Sequence, residues 1–236
     1  RFYMKERIKA LLTREPSSEI VRAEGWVRTK RDSKNVCFLE INDGSCLKGL
    51  QAVIDKASFN NNNLLDSIST GAAVSVEGTI VESLGGNQKV ELAVTSLDLV
   101  GPCPNDYPLQ KKRHTVEFLR EQAYLRPRTN LFGAVTRVRN TMAFAVHQFF
   151  QENGFVYVNT PLITASDCEG AGEQFQVTTL DLNNVPRKED GSVDYSKDFF
   201  GKLANLTVSG QLEGETYAMA MKNIYTFGPT FRAEES

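Results

Sequence analysis

The sequence is poor in the residues that would announce a metal or redox centre. Two histidines, His114 and His147, stand among 236 residues, and the four cysteines (Cys37, Cys46, Cys103 and Cys168) show no CxxC spacing. Such a set argues against a Cys/His zinc site and fits reduced thiols inside a cell. No apolar run reaches the length of a bilayer span, so no membrane partner is expected. The net charge of −2 gives no global basic footprint, and any nucleic-acid contact must come from a local patch. An initiator methionine and a signal- or transit-peptide pattern are also missing, and the chain stops at Ser236 directly after a strand-like stretch. The expectation is a piece of a longer protein.

What is present suffices for one large or two modest domains, since 41% of the residues are hydrophobic. The N-terminal part reads as β-rich. A short helical or extended segment over 8–12 precedes strands at 21–28, 36–41, 50–54, 73–81 and 89–94. A charged turn is expected over 29–35, a strong turn at 42–45, and a short helix near 64–69 broken by Gly71. Five short strands with one helix before the fourth fit a Greek-key barrel of the OB type. On that barrel Phe38 falls near Arg28, Lys30, Arg31 and Lys34, with Gln51 on the next strand. An aromatic ring, basic side chains and an amide are what a base-stacking site needs; a core Phe38 beside a solvated hairpin is the competing reading. Lys111, Lys112 and Arg113 could add phosphate contacts or simply solvate a linker.

The Pro-dense stretch 101–108 is the best domain boundary, followed by a polar hinge with a short helix over 116–123. Residues 131–153 form the clearest helix, with Leu131, Val135, Val138, Met142, Ala145 and Phe149 on one apolar face for core or dimer packing. Asn130 is the expected N-cap and Gly154 the C-terminal stop. A strand at 155–158 runs to Thr160-Pro161-Leu162, and an acidic Gly-rich stretch at 166–175 holds Glu169 and Glu173, which suit an ammonium group or a solvated loop equally. Residues 182–197 read as an exposed insertion, 206–209 as a strand, and Gly210 to Glu215 as the approach to a helix at 216–221. A last strand pair, 223–227 and 230–235, carries Arg232 and Glu234 on one face. By themselves these two are either a cross-strand ion pair or a clamp for an anion and an amine.

In this order the motifs resemble a known family. Helix, Gly154-Phe155, strand and Thr160-Pro161-Leu162 look like motif 1 of class II aminoacyl-tRNA synthetases, and Phe231-Arg232-Ala233-Glu234 looks like motif 2. The preceding OB barrel narrows the likeness to the aspartyl, asparaginyl and lysyl subgroup. Residues 163–173 and 208–217 resemble the asparaginyl-tRNA synthetase family of bacterial or organellar type.

The resemblance implies an α+β fold: an N-terminal OB-fold anticodon-binding barrel over 1–104, a hinge over 105–130, and the first part of a class II antiparallel-sheet catalytic domain over 131–236. It implies ATP-dependent activation of L-asparagine to asparaginyl-adenylate and transfer to tRNA(Asn), by a homodimer, in the cytoplasm or in a plastid or mitochondrion if a targeting peptide precedes Arg1. Arg232 would be catalytic and would bind ATP together with Glu234. Glu169, Gln211 and Glu215 would hold the amino acid, and Arg31, Phe38 and Gln51 the central anticodon base. An aspartyl enzyme is the alternative within the class, disfavoured because Gly214 stands where aspartyl enzymes carry a lysine and Glu215 follows. A non-catalytic tRNA-binding fragment or paralogue is the other. Motif 3 is not matched, the family's Asn is replaced by Glu235, and ligands for Mg²⁺ and the adenine-stacking aromatic are expected beyond Ser236.

Overall fold

Alternating side chains build the first of two units, Arg1–Val138 and Arg139–Ser236, within a computed structural model that describes residues 6–86, 88–166 and 174–233. After a one-turn helix α1 (Ile8–Leu11) come strands β1 (Ile20–Asp32), β2 (Val36–Asn42) and β3 (Leu50–Asp55). Helix α2 (Asn62–Asp66), capped by the Asn61 side chain, leads to β4 (Ala73–Glu82) and β5 (Val90–Gly101). The strands close into a barrel in the order β1-β2-β3-β5-β4. Pairing is antiparallel except between β3 and β5, which join parallel through Ala52↔Leu92 and Val53↔Ala93. Along β2, Cys37, Leu39 and Ile41 are fully buried while Phe38 and Glu40 stay half-exposed, the period of two that a pleat imposes. Ile8 and Leu11 of α1 join that core, and Asp43 holds the helix by accepting from the Ile8 N–H at 3.1 Å.

The charged turn expected over 29–35 is shorter than that. β1 continues to Asp32, pairing Thr29↔Glu40, Arg31↔Phe38 and Asp32↔Cys37 after a bulge between Val27 and Thr29. Arg31 lies on the solvated face opposite Phe38, while Lys30 and Asp32, opposite buried Leu39 and Cys37, are satisfied by the Ile68 carbonyl and by Lys56, so the charges do not end the strand. The reversal is left to residues 33–35, where the Ser33 hydroxyl donates to the Val36 carbonyl at 2.7 Å.

Helix α3 (Val116–Glu121) and a 3₁₀ turn at Arg126–Arg128 precede the long helix α4 (Asn130–Glu152). Thr129, not Asn130, serves its first turn: the Thr129 hydroxyl accepts from the Phe132 N–H at 3.4 Å, and the Asn130 side chain accepts from Arg28 at 3.2 Å. Gly154 (φ +77°) ends the helix in the left-handed region, and the Phe155 N–H returns to the Phe150 carbonyl at 2.9 Å. The predicted apolar stripe is not core in this chain. Leu131, Val135, Val138, Met142, Ala145 and Phe149 are all exposed.

The second unit continues through β6 (Val156–Tyr157), β7 (Ile163–Thr164), β8 (Gln176–Val177), β9 (Ala204–Leu206), α5 (Gln211–Met221) and β10 (Ile224–Tyr225). β6 and β10 pair parallel, and β7-β9-β8 form a separate antiparallel sheet. Phe150 of α4 stacks on Tyr225 at 4.6 Å, and His147 bonds the Tyr225 hydroxyl at 2.7 Å, so the helix is pinned to β10 through side chains rather than ladder bonds. Helix α5 starts at Gln211, five residues before the expected 216, because the Gly214 N–H already reaches the Gly210 carbonyl at 2.9 Å. The expected strand carrying Arg232 is not formed over the described residues 229–233; one backbone bond, Phe231 N–H to Thr207 carbonyl at 2.9 Å, fixes that segment. The insertion is tied at its base by Asp198. Its carboxylate accepts from the Thr178 hydroxyl at 2.6 Å and from the Thr179 N–H, Thr179 hydroxyl and Phe199 N–H at 2.8–2.9 Å. Among the described residues no helix is long and apolar enough to cross a membrane.

Two consequences can be measured. A Cβ on Gly78, at the β4 bulge, would lie 2.0 Å from the Ala93 carbonyl oxygen. Gly78→Ala should therefore destabilise the barrel by about 1–3 kcal/mol or more in urea unfolding; an unchanged midpoint would show that the two strands part freely there. The bonds from Thr178 and the Thr179 N–H hold the Asp198 carboxyl down from 3.8 to about 2. A lowered carboxyl pKa stabilises above the unfolded value and ceases to do so as pH falls through the folded one. Amide-exchange protection at Thr179 and Phe199 should drop in Asp198→Asn at neutral pH, and the gap to the parent should close between about pH 4 and pH 2.

Candidate functional site

On the outer face of the barrel the structure gathers Arg31, Phe38 and Gln51. Arg31 and Phe38 are cross-strand partners, and the guanidinium lies over the ring at 5.0 Å. Phe38 is therefore not core, since the alternation of β2 turns it away from Leu39 and Cys37. The same guanidinium donates through Nη2 to Gln51 Oε1 at 3.2 Å, and Gln51 Nε2 donates to Glu91 Oε2 at 3.0 Å. Glu91 is buried and also accepts from the Ser83 hydroxyl at 3.1 Å. Ring, cation, amide and carboxylate thus form one continuous chain that runs from half-exposed Phe38 to buried Glu91.

Two cations expected at this face are engaged elsewhere. Arg28 donates to the Arg128 carbonyl and to Asn130, and Lys30 donates to the Leu65 and Ile68 carbonyls at the end of α2. Lys30 pairs with inward-facing Leu39, so the period of two puts it on the face opposite Arg31, while Arg28 sits in the bulge between Val27 and Thr29. Lys56 closes on Asp32 at 2.6 Å, and that bond lowers the Asp32 carboxyl. Glu91 and Ser83 escaped the sequence reading because nothing local marks them. Glu91 reaches Gln51 only through the parallel β3–β5 pairing, between residues forty positions apart.

The second unit brings together another pair. Gln211 and Glu215 lie one turn apart on α5, and Gln211 Nε2 donates to Glu215 Oε1 at 2.9 Å. Both are exposed at the start of the helix, while Gly214 between them is buried towards Ile224 of β10 and Thr226 just after it. The helix start is seated tightly: a Cβ on Gly210 would lie 2.6 Å from the Thr160 hydroxyl. Thr207, in the loop before it, donates its N–H to the Leu162 carbonyl at 2.8 Å and accepts from Phe231. Exposed Arg232 follows half-buried Phe231, whose backbone bond to Thr207 holds this segment to the loop that leads into Gln211. Glu169 and Glu234 lie outside the described residues. Among the described residues no three His, Cys, Asp or Glu side chains converge as a metal site.

Comparison with known proteins agrees with both halves. Residues 21–100 match the model of an OB-fold nucleic acid binding domain, and residues 115–236 match that of tRNA synthetases class II (D, K and N). The asparagine–tRNA ligase of Acetivibrio thermocellus is 61% identical over 218 residues, covering 92% of this chain and 47% of the relative. That of Synechocystis sp. is 57% identical over 233 residues, covering 98% and 50%. The chain thus spans about half the length of these relatives. Asparaginyl-tRNA synthetase from Pyrococcus horikoshii, solved with asparaginyl-adenylate, shares the fold at a TM-score of 0.75 and 22% identity, over 93% of this chain and 46% of that one. The Entamoeba histolytica enzyme, also with asparaginyl-adenylate, does so at 0.76 and 19%, over 100% and 49%. A closed OB barrel followed by this helix-and-sheet arrangement, with a family model running from residue 115 to 236, means that the chain belongs to the class II tRNA synthetases of the D, K and N group.

Proposed function

We propose that this chain works in the ATP-dependent attachment of asparagine to tRNA(Asn), with the barrel reading the anticodon and the second unit supplying part of the amino-acid and ATP site. The observation that carries the amino-acid choice is the Gln211–Glu215 pair on α5, with a glycine between them instead of a cation. Gln211, held by Glu215, keeps its carbonyl oxygen for the α-ammonium, as does Glu169. The remaining acceptor capacity of Glu215 suits a side-chain NH₂ and repels a side-chain carboxylate. Asparagine relatives at 55–61% identity support this over the aspartyl reading.

In this reaction the asparagine carboxylate attacks the α-phosphorus of ATP and pyrophosphate leaves. Arg232 binds the α-phosphate and that carboxylate, offsetting charge that grows at the phosphoryl oxygens. Glu234 accepts from the adenine amino group. Mg²⁺ would supply charge neutralisation in such chemistry; among the described residues no cluster fits it. On the barrel, Arg31, Phe38 and Gln51 stack on and bond the central anticodon base. Bacterial relatives favour the cytoplasm, or a plastid or mitochondrion if a targeting peptide precedes Arg1. A second copy of the chain is the occupant we assign to the exposed α4 stripe, where Val138 is 61% and Met142 58% exposed.

ATP–pyrophosphate exchange by the full-length gene product should depend on asparagine and not on aspartate. Glu215→Gln should lower the asparagine-over-aspartate ratio by roughly tenfold or more, and an unchanged ratio would remove Glu215 from substrate choice. Exchange by neither this chain nor the full-length product would favour a non-catalytic tRNA-binding role instead. Sedimentation of the full-length product should give a dimer that Val138→Glu dissociates; a monomer at all concentrations would discard the second copy.

A further inference from the structure

We propose that Thr207 is a positioning residue for the amino-acid site: its hydroxyl holds the Ser209–Gly210 peptide in one orientation and so gives Gln211 a fixed starting point. The inference rests on the asparagine-activation reading above.

Position 210 has no room for a side chain. A Cβ there would lie 2.6 Å from the Thr160 hydroxyl oxygen and 3.4 Å from the Thr160 Cβ and Cγ2. Gly210 sits at φ −89°, ψ 15°, directly before α5. Turning the preceding peptide over would carry that φ to the positive side, which glycine adopts without strain. The residue that close packing demands is therefore also the one that lets the backbone swing, exactly where the amino-acid site needs it still.

Thr207 removes that freedom. It is 3% exposed, and its backbone is fastened on both sides: the N–H donates to the Leu162 carbonyl at 2.8 Å, and the carbonyl accepts from the Phe231 N–H at 2.9 Å. From this fixed point the Thr207 hydroxyl donates to the Ser209 carbonyl. In a planar trans peptide the C=O and N–H point opposite ways, so an overturned peptide would offer Thr207 an N–H and leave the buried hydroxyl hydrogen without that acceptor. Gln211 is seated from the held peptide onward. Its N–H donates to the Ser209 hydroxyl at 3.3 Å, the Gly210 carbonyl accepts from the Gly214 N–H at 2.9 Å, and Gln211 Nε2 meets Glu215 Oε1 at 2.9 Å. Without the Thr207 hydroxyl the first turn of α5 starts from a loose peptide, and Gln211 samples more than one position. The bond from Phe231 goes to the Thr207 backbone, so the Arg232 segment keeps its anchor whatever the side chain.

The test is asparagine-dependent ATP–pyrophosphate exchange by the full-length gene product, with asparagine and ATP varied in turn. Thr207→Val keeps the shape and removes the hydroxyl. It should raise the KM for asparagine by about fivefold or more and leave the KM for ATP within about twofold of the parent. Thr207→Ser, which keeps the hydroxyl, should hold the asparagine KM within about twofold of the parent. Thr207→Cys, a weak donor, should shift the asparagine KM the same way by less, which keeps a test available if Thr207→Val does not fold. An unchanged asparagine KM in Thr207→Val would overturn the proposal, as would equal rises for asparagine and ATP, since Thr207 would then be a general strut. So would a Thr207→Ser as impaired as Thr207→Val, because packing of the methyl group would then be what matters. If the parent shows no exchange with asparagine, it is the asparagine reading that fails, and the role of Thr207 with it.

Discussion

Closing five strands into a barrel is the constraint on which the first unit depends. Once β1 meets both β2 and β4, no strand edge remains, and every residue must choose between the core and the outer wall. Cys37, Leu39 and Ile41 go inward, so Phe38 and Glu40 go out. Closure also requires the one parallel junction, β3 to β5, and that junction carries Glu91 to Gln51. The polar chain from Ser83 to Phe38 is thus a by-product of how the core is sealed.

The second unit is held differently. Its strands are two or three residues long and its buried apolar residues few: Val158, Ala204, Val208 and Tyr225 among those described. Aromatic contacts take over, with Phe150, His147 and Tyr157 grouped on Tyr225. That grouping sets α4 against β10, and β10 in turn backs the buried Gly214 of α5. In both units a glutamine amide donates to a neighbouring glutamate, Gln51 to Glu91 and Gln211 to Glu215.

The strands and long helix were legible because their apolar residues repeat with periods of two and about 3.6. Element ends were less so. β1 overruns Lys30 and Arg31, α5 begins at Gln211, and Thr129 takes the capping role expected of Asn130. Such ends are decided by single hydrogen bonds, as of the Gly214 N–H to the Gly210 carbonyl or the Phe132 N–H to the Thr129 hydroxyl, which leave no periodic trace. The exposed stripe of α4 makes a related point. Periodicity identifies an apolar face but does not say what covers it.

By itself the sequence determined which residues could stack, clamp or cap, since that follows from side-chain chemistry. The alternation around Phe38 and the spacing of Gln211 from Glu215 were present in it as written. Only the tertiary structure decided that Arg28 and Lys30 turn to carbonyls while Arg31 stays over Phe38, and that Glu91 lies behind Gln51. The reason is that hydrogen-bonding partners tens of residues apart are fixed by closure of the barrel, with its parallel β3–β5 junction, not by neighbours along the chain.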